Sequence, residues 1–582
     1  MVVVGLPLTL LPFFAIDFWR GIFIASIPLV LVAGIGQTGL TNKIWRMIGW
    51  IAVKKQLSIV IVALVALVIS MIYSWKLPPM ANIADEYAYL HGAETFLSGR
   101  LTNPTHPMWK HFESLMVLSV PTTSSKYPPA QSIVLAAGMY VTGKYIAGVW
   151  ISYALACASL CWMLQAWTTP RWAFIGGLFA ALHPSMQGGL YLQTSEVKKA
   201  IFNGIPLDDY QYVWSWSQSY WGGAVAMIGG CLLYGILPRM RRNVSPLHAI
   251  TMAIGLLILA NSRPFEGLIV SIPAAIVVLF WLLRMNGQGH LRSSICRFIL
   301  PLAVILLCGI ACMLRYNLAV TGNLLRMPYQ EYVAQYDSAP MFVFQKPAPP
   351  IAYRHEDFRV LYMDWHFRMH ESQQNLIGWL RGRPISTISP LSFFVGPVAF
   401  AMLWLPAALK RKPVKIAFIS GLFLMLIHQS VIATVPHYIA PGACLIILVI
   451  TACMRELSVI RFGDCNIGRS CILYLMILLP ICLAVVAKKR DHLMLSHNRG
   501  MIQQKLEATD GQHLVIVGSK PWSVNTFGWI SNHPDIDRSK VIWAYDMGTA
   551  MNKELLDYFR DRKVWSVNTQ SPLPALIDYD SN

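Results

Sequence analysis

Long apolar runs separated by short basic clusters constrain this chain more than any other feature. About thirteen runs are long enough, or nearly long enough, to cross a bilayer. They lie at 2–16, 22–38, 57–75, 145–166, 172–190, 220–237, 246–262, 265–283, 298–316, 387–408, 414–434, 438–454 and 470–487. Because 55% of the residues are hydrophobic and only 13% are charged, the chain is predicted to be a polytopic α-helical membrane protein.

The formal net charge of +19 raises the question of a nucleic-acid partner. Most of the excess, however, lies in four clusters between the apolar runs. These are Lys43/Arg46/Lys54/Lys55, Arg239/Arg241/Arg242, Arg284/Arg292/Arg297 and Lys410/Arg411/Lys412/Lys415. Basic clusters of this kind are typical of cytoplasmic loops, so the charge indicates topology and argues against nucleic acid.

With these clusters in the cytoplasm, three longer polar stretches fall on the extracytoplasmic side: 76–130, 185–219 and 317–386. The apolar run 131–143 cannot be a full crossing in this scheme, because the downstream clusters would then lie on the wrong face. We predict that it is an interfacial or re-entrant helix.

The last part of the chain is more polar and predicts a small α/β domain. Short β-type runs occur at 514–517, 541–544 and 564–567, and Asn552 could cap an amphipathic helix over 553–560. We therefore divide the chain into N-terminal spans and a cytoplasmic loop (1–56), a transmembrane core (57–490) and an extracytoplasmic α/β domain (491–582).

Asp85 and Glu86 follow an apolar run closely and begin the loop 76–130. A carboxylate at a membrane interface can act as a general base or bind a hard divalent cation. The structural alternative is that Asp85 is the N-cap of a helix over 86–96. Because carboxylates beside hydrocarbon are costly and usually functional, we predict a catalytic site here, with Asp85 and Glu86 as the metal ligands if a metal is present.

Two cations are candidates for binding a lipid phosphate. Lys126 stands in Ser-Ser-Lys-Tyr-Pro-Pro, where the prolines make the turn rigid. A cation at headgroup level suits a phosphate, although an ordinary snorkelling lysine is the alternative. Arg263 lies in a turn between two spans and could bind the same phosphate, or could pair with Glu266 and fix the hairpin.

Five further residues on the predicted outer face are candidates for substrate binding. They are Tyr220, Trp221, Arg354, His437 and Tyr438. Aromatic side chains offer apolar surface to a sugar or an isoprenoid, although an interfacial aromatic belt is the alternative for Tyr220 and Trp221. No metal-ligand spacing stands out among the polar residues of the loop 317–386.

An Asp-Glu pair just after a span, followed by a Lys/Pro-Pro element before the next helix, resembles the membrane-embedded glycosyltransferases of the C-type fold. That family includes protein O-mannosyltransferase-like enzymes and the lipid A aminoarabinose transferases. The resemblance covers roughly residues 57–145. It departs from the family pattern where Tyr127 separates Lys126 from Pro128, and where Ala130 replaces a common leucine.

This resemblance implies an enzyme that transfers a sugar from a polyprenyl-phosphate donor to an acceptor hydroxyl on a glycan, lipid or protein. Asp85, with or without Glu86, would take the acidic role, and Lys126 would lie near the lipid phosphate. The expected location is the bacterial cytoplasmic (inner) membrane, with the active site outside the cytoplasm. The alternative is a transporter or flippase, which would favour ionisable groups at mid-bilayer and repeat symmetry; the sequence shows neither.

Overall fold

The computed structural model describes residues 39–74, 79–81, 83–188, 190–193, 211–433, 435–463, 465–494, 498–518, 528–568 and 575–579. The predicted apolar runs 2–16 and 22–38 lie outside these residues.

Helices dominate the described part of the chain. In chain order they are α1 (Gly39–Val53), α2 (Lys55–Ser74), α3 (Ala84–Leu97), α4 (Ala130–Thr142), α5 (Tyr145–Trp167), α6 (Pro170–Leu182), α7 (Pro184–Gln187), α8 (Gly223–Met240), α9 (Pro246–Ala260), α10 (Pro264–Gly287), α11 (Leu291–Ser294), α12 (Leu300–Thr321), α13 (Pro328–Tyr336), α14 (Glu356–Arg359), α15 (Arg368–Ser372), α16 (Leu376–Val395), α17 (Leu405–Ala408), α18 (Lys412–His428), α19 (Ala443–Leu457), α20 (Ile467–Met494), α21 (Asn498–Ala508) and α22 (Thr549–Tyr558). The strands are β1 (Asn103–Pro104), β2 (Val117–Leu118), β3 (Thr122–Ser125), β4 (Leu190–Gln193), β5 (Gln211–Trp214), β6 (His513–Gly518), β7 (Val541–Tyr545), β8 (Lys563–Asn568) and β9 (Leu576–Asp578).

Seven helical segments among the described residues are long and apolar enough to cross a membrane. They are Lys55–Ser74, Tyr145–Trp167, Gly223–Met240, Pro264–Gly287, Leu291–Thr321, Ala440–Leu457 and Ile467–Ala484. Three shorter apolar helical segments accompany them: Ala130–Thr142, Pro246–Ala260 and Val398–Ala408. The prediction of a helical membrane protein is confirmed.

Several predicted crossings are shorter or broken in the structure. The predicted run 172–190 forms a helix that ends at Leu182, because the chain turns extended at His183. The run 387–408 is divided between α16 and a 3-10 helical stretch over Gly396–Trp404. The run 131–143 forms α4, which has only 13 residues and is too short for a full crossing.

The outer helices expose apolar side chains, whereas the inner helices are buried. Leu268 and Phe280 on α10 are each 65% exposed, and α12 likewise exposes Leu300 and Leu307. By contrast, α19 is buried along almost its whole length. Uncovered apolar faces on long helices are what a lipid environment requires.

The stretch between α2 and α5 contains more structure than the sequence predicted. After α3, the short strands form an antiparallel sheet in the order β1-β3-β2. Val117 of β2 is the register partner of Ser125 in β3, so the hairpin ends directly before Lys126. In the second outer stretch, β4 and β5 form an antiparallel pair.

The C-terminal α/β region has a four-stranded sheet in the order β7-β6-β8-β9. β6 runs parallel to β7 and β8, and β9 is antiparallel to β8. The predicted strands are confirmed, but the predicted cap is wrong. The helix begins at Thr549, and the Asn552 side chain lies within it, where it binds the Met547 N–H and the Asp546 carboxylate.

The α/β region is docked on the stretch 76–130, which we call the first outer stretch after its predicted side of the membrane. Phe112 of that stretch is buried in one apolar cluster with Leu514, Ile542 and Phe559 of the α/β region. Arg499 of α21 lies over the Tyr87 ring at 4.8 Å, two residues from Asp85. The C-terminal region therefore supports the helix that carries the predicted catalytic carboxylates.

Candidate active site

Asp85 and Glu86 occupy the first turn of α3. The N-cap residue is Ile83, which has an extended backbone and makes no side-chain cap, so the alternative that Asp85 caps this helix is wrong. Two carboxylates in the first turn are favourable for the helix dipole. They point to different partners, because successive helix positions are about 100° apart.

The Asp85 carboxylate accepts a short hydrogen bond from the Tyr127 hydroxyl. Tyr127 in turn stacks on Tyr89, with ring centroids 4.6 Å apart. Burial, together with the Asp85 charge, raises the pKa of Tyr127 well above its ordinary value, so this hydroxyl stays protonated and continues to donate. Asp85 itself is partly exposed, which leaves it open to a substrate.

Glu86 is only 5% exposed and has a structural contact on the other side of the helix. Its Oε1 accepts a hydrogen bond of 2.8 Å from the Tyr220 backbone N–H. The Tyr220 carbonyl accepts another bond, of 2.9 Å, from the Gln131 side chain in α4. Glu86 therefore joins α3 to the chain segment that enters α8.

Lys126 is a buried cation surrounded by tyrosine rings. Its side chain is 7% exposed, and Nζ lies 4.8 Å from the centroid of the Tyr332 ring, 5.2 Å from that of Tyr127 and 5.6 Å from that of Tyr329. In the described part of the chain, no carboxylate oxygen lies within 4.0 Å of this ammonium. Burial lowers the pKa of Lys126 to about 8, and the charges of Asp85 and Asp337 offset only part of that shift.

Arg263 joins the same group of side chains. The Asn261 carbonyl, two residues earlier, accepts a 3.0 Å hydrogen bond from the Ala130 N–H, which holds this turn against the end of the Lys126 loop. The Arg263 guanidinium lies 4.7 Å from the centroid of the Tyr438 ring. We call Asp85, Lys126, Tyr127, Arg263 and Tyr438 the outer cluster.

The alternative that Arg263 pairs with Glu266 is wrong. Glu266 instead lies 3.2 Å from His428 Nε2 at the end of α18, and both side chains are buried. Among the residues that the structure describes, no ion pair within 4.0 Å involves Arg263. The outer cluster therefore contains two cations that lack a carboxylate partner at ion-pair distance in the part of the chain that the structure describes.

The rings of Trp221 and His437 pack against each other beside the outer cluster. Their ring centroids are 4.2 Å apart, and His437 packs edge-on to Tyr438 at 4.9 Å. Trp221 Nε1 and His437 Nδ1 are buried, and neither has a hydrogen-bond partner among the described residues. Burial and the Arg263 charge lower the pKa of His437 well below its ordinary value, so it is a neutral donor and acceptor.

Glycine makes this arrangement possible at one close approach. A Cβ on Gly230 of α8 would collide with the Pro441 backbone carbonyl. The turn with His437 and Tyr438 can therefore lie directly against α8, and any larger residue at 230 would displace it.

Arg354 is not brought to the outer cluster. Its guanidinium pairs with Glu113 at 2.5 Å, and Glu113 also contacts His355 at 3.2 Å and the Tyr336 hydroxyl at 3.0 Å. His355 stacks on Tyr545 of the C-terminal sheet at 3.8 Å. These contacts favour a role for Arg354 in docking the α/β region.

Replacing Arg354 by alanine is expected to lower stability more than substrate affinity. Glu113 would lose one of its partners while it stays buried, at a cost of about 1–2 kcal/mol, a modest figure because Arg354 is 35% exposed and screened by water. Thermal unfolding in detergent should show a lower midpoint, with unchanged affinity for lipid phosphate. The exposed Arg560, which contacts Asp557 three residues earlier in the chain, gives a matched control as Arg560→Ala. A loss of phosphate affinity in Arg354→Ala would instead indicate a substrate-binding role.

The outer cluster lies where several apolar helices end. α2 ends at Ser74, shortly before Asp85, whereas α8, α10 and α19 begin at Gly223, Pro264 and Ala443. Each of these starts lies within a few residues of Trp221, Arg263 or Tyr438. The described candidate residues, except Arg354, therefore gather at one end of the transmembrane core.

Sequence reasoning selected Tyr438, which lies against Arg263, but not Tyr127, Tyr329 and Tyr332, whose rings surround Lys126. Tyr89 lies four residues after Asp85 and so shares its helix face. Tyr329, Tyr332 and Tyr336 lie on α13 at the spacing i, i+3, i+7, which is also one helix face. This spacing is the signal that the sequence offers, and the prediction of a loop over 317–386 overlooks it.

A metal site at Asp85 and Glu86 stays a prediction. Over the described ranges, no group of three or more His, Cys, Asp or Glu side chains is arranged to hold a metal ion. The two adjacent carboxylates have separate partners, Tyr127 and the Tyr220 N–H.

No protein-family model and no curated protein matches the chain. Two of the proteins whose solved structures are similar to it are ArnT and an archaeal oligosaccharyltransferase. ArnT from Cupriavidus metallidurans, in the apo state and bound to undecaprenyl phosphate, is 11% identical with a TM-score of 0.47, covering 88% of this chain and 92% and 93% of those chains. The Archaeoglobus fulgidus oligosaccharyltransferase AglB, in complex with an inhibitory peptide and a dolichol-phosphate, is 11% identical with a TM-score of 0.37, covering 88% of this chain and 69% of that chain. At such identities the similarity is one of overall fold and does not extend to chemistry.

Proposed function

We propose that this protein is a membrane glycosyltransferase that moves a sugar from a polyprenyl-phosphate donor to an acceptor hydroxyl. The observation that carries the proposal is the outer cluster itself. Two cations, Lys126 and Arg263, have no carboxylate partner at ion-pair distance among the described residues. They lie beside an accessible carboxylate, Asp85, where the transmembrane helices end.

Lys126 and Arg263 suit the phosphate of the donor. A buried cation without an ion-pair partner is unfavourable until an anion binds it. The starts of α8, α10 and α19 each lie within a few residues of Trp221, Arg263 or Tyr438, and helix N-termini favour a phosphate group. The exposed apolar faces of the outer helices would let the polyprenyl chain remain in lipid while its phosphate reaches these cations.

Asp85 suits the general base. The Tyr127 hydroxyl donates to the carboxylate and orients it, and Asp85 is partly exposed, so an acceptor hydroxyl can reach it. In the proposed step, the acceptor oxygen attacks the anomeric carbon and its proton passes to Asp85. The bond from that carbon to the phosphate oxygen breaks, and the polyprenyl phosphate leaves with its charge held by Lys126 and Arg263. A single displacement predicts inversion at the anomeric carbon.

Glu86 takes a positioning role in this proposal, because its carboxylate is buried against the Tyr220 N–H. Trp221 and His437, with their free polar atoms, are the residues proposed to contact the sugar. A metal is not required for departure of a phosphate, which is already a good leaving group.

We also propose that the cluster faces the extracytoplasmic side of a bacterial cytoplasmic membrane. α8 begins beside the cluster and ends in Arg239/Arg241/Arg242, and α10 begins at Pro264 and ends near Arg284. The basic clusters therefore lie at the opposite ends of these helices from Asp85. That separation supports this orientation through the positive-inside rule.

The test uses the purified full-length protein in lipid nanodiscs with a panel of radiolabelled polyprenyl-phosphate sugars and candidate acceptors. We expect release of free polyprenyl phosphate with at least one donor, and a product of inverted configuration. Binding of every donor without turnover, with divalent ions present or absent, would contradict the proposal and favour a transporter or flippase. A product of retained configuration would contradict the single-displacement step.

A further inference from the structure

A cavity of about 610 Å³ lies between the first outer stretch and the C-terminal α/β region. One wall is formed by α3 and the sheet that follows it, and includes His91, Arg100 and His106. The other wall is the segment 531–538, with Asp535 and Asp537. It is separate from the outer cluster, since none of the five cluster residues lines it.

Two side-chain contacts connect the two walls. Arg100 binds Asp535 at 2.7 Å, and His106 lies 3.0 Å from Asp537. The cavity is lined by two arginines, Arg100 and Arg538, and by two aspartates, Asp535 and Asp537. Their formal charges balance, which disfavours a strongly charged ligand such as a phosphate.

The remaining lining suits a neutral ligand with many hydroxyl groups. Ser98, Ser114, Ser119 and Thr123 contribute hydroxyls, and Phe112 offers an aromatic edge. A saccharide presents hydroxyls that both donate and accept, together with C–H faces that pack on rings. An apolar peptide would leave most of these polar groups without partners.

One buried polar atom in this cavity lacks a partner. His91 is only 6% exposed, and its Nε2 makes no hydrogen bond to any residue that the structure describes. Its other ring nitrogen lies 3.5 Å from the Asn532 carbonyl. Burial lowers the pKa of His91 to about 4, so the ring is neutral; if Nδ1 carries the proton toward Asn532, Nε2 is left to accept from a ligand hydroxyl.

The cavity also adjoins the outer cluster along two elements. His91 lies six residues after Asp85 on α3, which is about 9 Å along the helix axis. Val117 lines the cavity and pairs in register with Ser125, the neighbour of Lys126. A molecule in this cavity is therefore held by the same helix and hairpin that carry Asp85 and Lys126.

We propose that this cavity binds the saccharide portion of the acceptor, so that the acceptor is a glycan or glycolipid. The identification of the bound molecule as the acceptor rests on the proposed function, whereas saccharide binding itself rests on the cavity alone. The C-terminal region then has a recognition role in addition to its support of α3.

The test is binding of the full-length protein in nanodiscs to an array of defined oligosaccharides, with empty nanodiscs as background. Ser98→Trp fills the cavity from its exposed edge; Thr509→Trp is the control, because both residues are exposed and bond a carbonyl four residues earlier through the hydroxyl. We expect the wild type and Thr509→Trp to bind the same subset of saccharides. Ser98→Trp should bind that subset at least about tenfold more weakly, with an unchanged unfolding temperature.

Absence of any saccharide binding by the wild type would overturn the proposal, as would equal binding by Ser98→Trp. The outcome is independent of donor turnover. Saccharide binding without release of polyprenyl phosphate would leave the cavity assignment intact and contradict the transferase. Release of polyprenyl phosphate without saccharide binding would contradict the cavity assignment and leave the transferase proposal intact.

Discussion

Replacing Asp85 by asparagine is expected to lower the rate of sugar transfer by about 10²–10⁴-fold, the usual contribution of a general base. The amide still fits the site and can accept the Tyr127 hydrogen bond, but it cannot take the acceptor proton. Affinity for the donor should change little, because Lys126 and Arg263 remain. Release of radiolabelled polyprenyl phosphate measures the rate, and equilibrium binding of the donor measures the affinity.

Glu86→Gln is the matched control for this substitution. Its amide oxygen can still accept the 2.8 Å bond from the Tyr220 N–H, so we expect less than about a tenfold loss of rate. Loss of the two adjacent carboxylates would thus lower the rate of sugar transfer to very different extents. If Asp85→Asn transferred sugar as fast as the wild type, or if Glu86→Gln were the more damaging change, the base would be wrongly assigned.

Replacing Lys126 by methionine is expected to weaken binding of polyprenyl phosphate by about 10–100-fold, which corresponds to loss of one charged hydrogen bond. The fold should survive, because an apolar side chain of similar length among the Tyr127, Tyr329 and Tyr332 rings removes a buried charge. Lys110→Met, at an exposed lysine of the same outer stretch, is the control and should bind as the wild type does.

The Lys126 pKa of about 8 adds a pH signature to this prediction. The folded-state pKa is below the ordinary lysine value of 10.5, so the ammonium is charged below about pH 8 and loses its proton as pH rises through that value. Phosphate affinity in the wild type should therefore fall above about pH 8. Lys126→Arg should move this fall to much higher pH, since arginine keeps its charge. An identical alkaline fall in both proteins would assign the titration to another group.

Much of this site was predictable from sequence because its parts lie at the ends of apolar runs or in a polar stretch between them. Arg263 and His437 stand next to predicted span boundaries, and Asp85 and Lys126 stand in the predicted outer stretch 76–130. The positive-inside pattern assigned all four residues to one face. The structure brings them into one neighbourhood through contacts such as the Ala130–Asn261 hydrogen bond. The side of the membrane and the position of a span boundary depend on local stretches of sequence, so they can be predicted without knowing how the helices pack.

Partner choice was less predictable because it depends on packing between distant segments. The sequence left open whether Arg263 pairs with Glu266. In the structure Glu266 instead contacts His428, which lies 162 residues after Glu266 in the chain. Arg354 resembled a substrate-binding residue because it stands in an outer stretch, but Glu113 is its neighbour in space. Helix α13, which has tyrosines along one face, was not predicted. It lies between membrane spans, so it lacks the long apolar run by which a spanning helix is recognised in a sequence.

The central claim is that Lys126 and Arg263 together bind the phosphate of a polyprenyl-phosphate lipid. A cryo-electron microscopy structure of the full-length protein with bound polyprenyl phosphate tests this most directly. We predict phosphate density within hydrogen-bond distance of both Lys126 Nζ and the Arg263 guanidinium, with the Asp85 carboxylate facing the space beside it and the polyprenyl chain along the apolar helices. Phosphate density elsewhere on the molecule, with Lys126 still enclosed by its tyrosines, would contradict the account.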